Sequence, residues 1–408
     1  MWPRSLLLLC LLVTLVGVTR CAYADVDHKT VAEMEALDAD KETISGAFPG
    51  VLVSVRGDFT LVDAKYTRPY HAVCSVFEAE RTAPGDPIRG YGRRFKIFVP
   101  ERESLPLAKR VARMLLLLWG ENHERMRFDH PRDNPVVNVY LTRLVGAGLS
   151  PDTGGEQFDN NIYLYDIVRD RSATEWAREI AHEYGHYALP GISGFSAPES
   201  WANGMLGERL FFKWIGEDLK ARRLRPEEIP FLSPEQLETY LTLQVNPLVR
   251  RILREGVQPK ELEKRDGEGM DYYTGVALTI DTLYGSKMLL NALAATRSPD
   301  SKRFPLAPDF LHGFQEALRD APAFAVTLPV TAKDSTMESF MLYLPPGEYA
   351  VTMEDPLRSW QFANGKGLRR QGQEGLSVTQ ADWRKISVNL TPPVDKPVRL
   401  LFHRKDAH

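Results

Sequence analysis

The chain has 408 residues, of which 43% are hydrophobic and 26% charged, and a formal net charge of -3. That length exceeds one typical domain and predicts two or three compact units with ample core. The balanced charge excludes a general nucleic-acid surface, and the chain carries no internal repeat, low-complexity tract or long charge run.

The first residues read as a targeting segment. Arg4 supplies a positive start, Ser5 to Val18 is almost wholly apolar, and Ala22-Tyr23-Ala24 has the small-x-small form of a cleavage site. We expect a signal peptide over residues 1–24 and a secreted or periplasmic mature chain. The apolar run is shorter than the about 20 residues a membrane span needs, so no span is expected after cleavage. Cleavage would remove Cys10 and Cys21 and leave Cys74 as the single thiol, so the mature fold is expected to stand without a disulfide. Asn389-Leu390-Thr391 is a glycosylation sequon, meaningful only in a eukaryotic secretory path.

Residues 25–100 form a β-rich N-terminal region, with strand-like runs at Val51 to Val55 and Phe95 to Val99 and turn formers at Pro84-Gly85-Asp86. Leu107 to Trp119 has the broad apolar face of a helix, while Val136 to Leu141 and Asn161 to Tyr165 read as strands. From Ser172 to about Leu318 the helical period dominates, with joints at Pro190-Gly191, Pro226, Pro234 and Asp266-Gly267. Beyond Phe324 strands return at Phe340 to Leu344, Tyr349 to Met353 and Val398 to Phe402. The expected fold is α+β: a central unit over 101–322 between the N-terminal β-rich region and a C-terminal β-sandwich-like module over 323–408.

The chemistry concentrates in Ser172 to Pro190. Ser172-Ala-Thr-Glu175 is a capping box, and Pro190-Gly191 ends the helix that it starts. Within that helix His182 and His186 stand one turn apart on one face, as two imidazoles sharing a tetrahedral zinc require. Glu183 sits beside them, placed to take a proton from a water held at the metal rather than to bind the metal itself. This is an HExxH arrangement, expected to hold one Zn2+ per chain.

An open fourth position needs a third protein ligand. The extended form HExxHxxGxxH is excluded, because Leu189 and Ile192 occupy its glycine and last histidine positions. Two glutamates follow, Glu199 and Glu208. Nine residues apart on one helix, at about 100° per residue, they would face opposite sides. Ser196-Ala-Pro-Glu199 reads as a second capping box, which gives Glu199 a structural task. Glu208 lies mid-helix with Gly204 one turn earlier, where a missing side chain lets two helices approach closely. Glu208 is therefore the favoured ligand, and Glu199, with Asn203 on its own face, the alternative.

From about residue 105 to 320 the chain resembles the gluzincins, the thermolysin-like and aminopeptidase-N-like zinc peptidases. The resemblance rests on His182-Glu-Tyr-Gly-His186, on Gly204-Met-Leu-Gly-Glu208 as the ligand helix, on the two strands ahead of the motif, and on Tyr272-Tyr-Thr-Gly275 as a Tyr-x-x-Gly helix start. It implies a zincin-like catalytic domain, a small mixed sheet plus helices. It also implies that Tyr272, with Tyr273 as its neighbour, hydrogen-bonds the oxyanion. The chain departs from the family where Asn203 precedes Gly204 without a glutamate between them, and where Phe212 replaces the usual aspartate one turn after the ligand.

The expected function is that of a secreted zinc peptidase acting on a peptide or protein substrate, which pairs with the strand Asn161 to Tyr165. Two alternatives stand beside it: an inactive zinc-containing scaffold of the cell envelope, and a zinc hydrolase acting on a non-peptide amide or ester.

Overall fold

The computed structural model describes residues 40–62, 67–79, 90–126, 136–143, 154–329, 337–354, 359–362, 369–370, 374–389 and 397–405. The expected signal peptide over 1–24, the expected turn at Pro84-Gly85-Asp86, His130 and most of the sequon lie outside them.

The fold is mixed α+β. Seven strands form one sheet: β1 (Asp40–Ile44), β2 (Gly50–Val62), β3 (Thr67–Ala79), β4 (Gly90–Val99), β5 (Val137–Leu141), β6 (Gly155–Phe158) and β7 (Asn161–Leu164), in the order β1-β2-β3-β4-β5-β7-β6. The first four run as an antiparallel meander. Then β4 pairs parallel with β5, and β5 parallel with β7. A boundary near residue 100 therefore cuts through a continuous sheet: Ile97 stands opposite Val139. The helix α1 (Leu105–Met126) makes the crossover that parallel pairing requires.

Alternation splits the sheet side chains between two faces. Phe95, Ile97, Val99, Val139, Leu141, Ile162 and Leu164 join the main core with α1. On the opposite face Phe98, Tyr140 and Tyr163 stack in sequence, at 5.1 and 5.0 Å between ring centroids.

The helical unit begins with α2 (Ala173–Ala188), whose expected capping box is present in both directions: Glu175 N donates to Ser172 Oγ, and Ser172 N donates to the Glu175 carboxylate. It continues through α3 (Asn203–Lys220), α4 (Pro234–Tyr240), α5 (Asn246–Glu255), α6 (Pro259–Leu262), α7 (Gly267–Tyr284), α8 (Ser286–Ala295) and α9 (Ala307–Asp320). Helices α2 and α3 cross at two glycines. A Cβ built on Gly185 would lie 2.9 Å from Gly207 Cα and 2.7 Å from Asn203 O, a separation that no side chain survives.

Two four-stranded sheets close the chain. One is β8 (Ala323–Leu328), β10 (Gly347–Met353), β13 (Glu374–Val378) and β15 (Val398–Arg404); the other is β9 (Met337–Leu344), β11 (Ser359–Phe362), β12 (Arg369–Arg370) and β14 (Asp382–Asn389). Both add buried residues to the same core as the helices, Val326 and Phe402 from the first and Leu342 and Ile386 from the second. The Tyr284 hydroxyl of α7 donates to Tyr343 O and accepts from Tyr343 N, which fixes β9 to the helical unit.

Between α1 and α3 lies a buried polar group. Glu121 is 1% exposed, its Oε2 accepts from Arg125 Nε at 3.1 Å, and its Oε1 has no hydrogen-bond partner. Burial, reinforced by the Asp218 charge and opposed by Arg125, pushes its carboxyl from the ordinary 4.5 up to about 8. Across that window the folded chain keeps a proton that the unfolded chain releases, so stability is full below it and lost as pH rises through it. Glu121→Gln should accordingly gain on the wild type by at least ~1 kcal/mol between about pH 5 and about pH 8. Thermal unfolding at the two pH values tests this, and a difference in Tm that does not widen with pH would refute it.

Candidate metal centre

Helix α2 carries both histidines, and their Nε2 atoms converge to 3.2 Å. The partner on each Nδ1 fixes which nitrogen faces the shared point. Asn203 donates through Nδ2 to His186 O at 3.0 Å and to Leu189 O at 3.2 Å, so its Oδ1 is left to accept from His186 Nδ1 at 3.0 Å. A Glu208 oxygen lies 3.7 Å from His182 Nδ1. Both rings are thereby held with Nε2 available as a ligand atom.

The third carboxylate at this point belongs to Glu199. Its Oε2 lies 2.9 Å from His186 Nε2 and 3.2 Å from His182 Nε2. Ligands about 2.0–2.1 Å from a tetrahedral zinc stand about 3.3 Å from one another, so the three atoms have the right mutual spacing. His182, His186 and Glu199 form the group of side chains close enough to share one ion among the described residues.

The geometry brings the alternative, Glu199, and not the favoured Glu208 to the two Nε2 atoms, and the cause is local. The helix that carries Glu208 begins at Asn203, not at Ser196. Ser196 does not cap it: its amide and hydroxyl both donate to Arg265 O, at 2.7 and 2.9 Å. Glu199 therefore sits in a loop, free of the helical phase that would have turned it away. Glu208 instead backs His182, and its Oε1 accepts from Arg178 Nε at 2.7 Å and from the Tyr240 hydroxyl at 2.6 Å. Tyr240 on α4 had no sequence signal; its role depends on a contact between separate helices.

Gly204 occupies the point of α3 that faces the cluster. A Cβ there would fall 2.6 Å from His182 Nε2 and closer still to His186 Nε2, inside the space an ion would take. The bare backbone is a condition of the site.

Glu183 lines the same cleft, 4% exposed, with its Oε2 free of any hydrogen-bond partner. Burial pushes its carboxyl up to about 7, against the pull of His182 and His186 and with help from Glu179 and Glu199. Room for it comes from Gly155, where a Cβ would lie 2.7 Å from Glu183 Cγ. Burial also raises Glu199 and Glu208, but hydrogen bonds and positive charge outweigh it: from both histidines for Glu199, from His182, Arg178 and Tyr240 for Glu208. Both are held at about 2. Burial lowers His182, yet the surrounding carboxylates raise it well above the usual histidine value. Two imidazoles ringed by this much negative charge, with orphaned oxygens on Glu183 and Glu199, suit a bound cation.

Tyr272 does not join the cleft. Its hydroxyl accepts from Gln258 N at 2.6 Å and lies 3.4 Å from Gly256 O, tying α7 to the loop after α5. Tyr273 is fully buried between Phe195 and Phe310. Of the other histidines, His123 stacks on Trp119 and His312 lies beside Glu316. The cleft has a volume of about 1360 Å³. One wall is β6, which among the described residues holds the sheet edge expected at Asn161 to Tyr165; β7 lies one strand inside it.

No protein-family model and no curated protein matches the chain. Among solved structures it has a remote likeness to Legionella pneumophila aminopeptidase A, crystallised in complex with aspartic acid, at 10% sequence identity and a TM-score of 0.34. The match covers 88% of this chain and 41% of that one, so the chain spans less than half of the neighbour's length. A likeness of that size decides neither fold nor function.

Zinc content by mass spectrometry, with chelator competition for affinity, separates the two glutamates. Glu199→Ala and Gly204→Ala should each abolish stoichiometric binding, whereas Glu208→Gln should keep the metal with affinity lowered about 10- to 100-fold. Full zinc in the Glu199 variant would overturn the assignment.

Proposed function

We propose that the chain is a metal-dependent hydrolase, and more finely a zinc peptidase, in which His182, His186 and Glu199 hold the ion and Glu183 is the general acid and base. The observation that carries this reading is the meeting of three ligand atoms beside a buried carboxylate with a free oxygen. Zinc bound there supplies a Lewis acid, which polarises a carbonyl and makes water acidic near neutral pH. The side chains supply the rest. Glu183, buried and held near 7, takes a proton from the attacking water and returns it to the departing amine.

Only three ligands converge among the described residues, because Glu208 is occupied by Arg178 and Tyr240. That favours an open catalytic position over the closed four-ligand shell of a structural site, and so favours the enzyme over the scaffold. The strand β6 supports a peptide as substrate, since it borders the cleft and among the described residues is paired on one side only. With Tyr272 engaged elsewhere, we assign it no part in the reaction.

We further propose, from the leader read over 1–24, that the chain acts outside the cytoplasm. No helix among the described residues is long and apolar enough to cross a membrane.

Glu183→Gln should retain stoichiometric zinc and lose hydrolysis of a mixed peptide library by at least about 100-fold. Turnover that persists in this variant would remove Glu183 from the mechanism. A zinc-replete wild type that cleaves esters or non-peptide amides but no peptide would move the substrate class and leave the hydrolase reading intact.

A further inference from the structure

The cleft is uneven along α2. Toward the start of the helix it is charged, with Arg171, Glu175, Arg178 and Glu179; toward its end it is apolar, with Leu189, Trp201, Met205 and Phe304. Phe304 is 63% exposed, and of the large exposed hydrophobic side chains among the described residues it alone lines this cleft. Together with Trp201, which lines the same cleft, its ring makes an apolar patch at the rim rather than an isolated exposed side chain.

The ring is also held in place. Phe304 meets Trp201 edge to face, with centroids 4.7 Å apart and planes at 74°. The two segments that carry them are joined through Ser193, which bridges Trp201 on one side and Leu306 on the other, and whose amide donates to Pro305 O at 2.8 Å. Trp201 packs against Gly191, where a Cβ would come within 2.8 Å of the indole. Arg303, bonded to Asp309 at 2.7 Å, anchors the loop from beneath. Trp201 is also two residues from Glu199, and the aromatic pair lines the same cleft as the ligand cluster.

We propose that Trp201 and Phe304 form the wall of a subsite that takes a large apolar side chain, above all an aromatic one, beside the bond to be cut. This rests on the peptidase reading of the cleft. An edge-to-face pair leaves ring surface for a third ring in the same geometry, and both walls are already ordered before the substrate arrives.

The test uses the full zinc-loaded chain, a mixed peptide library, and NMR titration with N-acetyl-phenylalaninamide and N-acetyl-alaninamide. Peptides with Phe, Trp or Leu beside the scissile bond should exceed their alanine counterparts in kcat/KM by about 10- to 200-fold. Phe304→Ala, at an exposed position, and Gly191→Ala, which displaces the indole, should each reduce that preference at least about tenfold, and zinc content should stay unchanged in the Phe304 variant. Cleavage with no apolar preference, or a preference that both variants keep, overturns the subsite and leaves the peptidase reading standing. Phenylalaninamide binding that depends on Phe304, with no peptide cleaved, does the reverse. Failure of both removes both.

Discussion

Where α2 and α3 cross, two backbones touch: Gly185 of one helix lies against Gly207 of the other. The orientation of both imidazoles depends on that closeness. It brings Asn203 within reach of His186 and of two carbonyls at the end of α2. It sets bare backbone at Gly204 opposite both Nε2 atoms, and it places Glu208 behind His182. Had either glycine carried a side chain, the helices would part by more than these contacts tolerate, and the rings would lose the partners that orient them.

The same closeness creates the electrostatic problem that the site solves. Glu183, Glu199 and Glu208 surround two imidazoles inside a largely buried pocket, where uncompensated charge is costly. The chain divides the task. Arg178 neutralises Glu208 and the Tyr240 hydroxyl donates to it, the histidines hold Glu199, and Glu183 remains without a bonded partner on one oxygen. One carboxylate is thus kept poised for protons while its neighbours are locked as anions, and environment alone makes the distinction.

Much of this was legible in the sequence, and the boundary of legibility is physical. The Ser172 capping box, the His182 to His186 spacing and the strands at Phe95 to Val99 and Tyr349 to Met353 are local patterns, set by the periods of helix and strand. What the sequence could not show was long-range. Ser196 had the spacing of a cap, but Arg265 O, remote in the chain, competed for its amide and hydroxyl and won, leaving Glu199 in a loop. Tyr272 stood in the expected Tyr-x-x-Gly phrase, but the helix begins five residues earlier at Gly267 and the loop backbone at Gln258 claimed its hydroxyl. The break at residue 100 followed composition, whereas the parallel pairing of β4 with β5 is made across a whole helical crossover and leaves no mark on neighbouring residues.

Glu199's position in a loop has a kinetic meaning. The two histidines belong to a capped helix packed on both sides, so they form a standing half-site. The third ligand hangs on a segment fastened by a few discrete bonds, Ser193 to Pro305 and Ser196 to Arg265. Under the proposed reading, an ion would exchange by local opening of that one segment while both helices stay folded, which would separate how fast the metal exchanges from how stable the protein is.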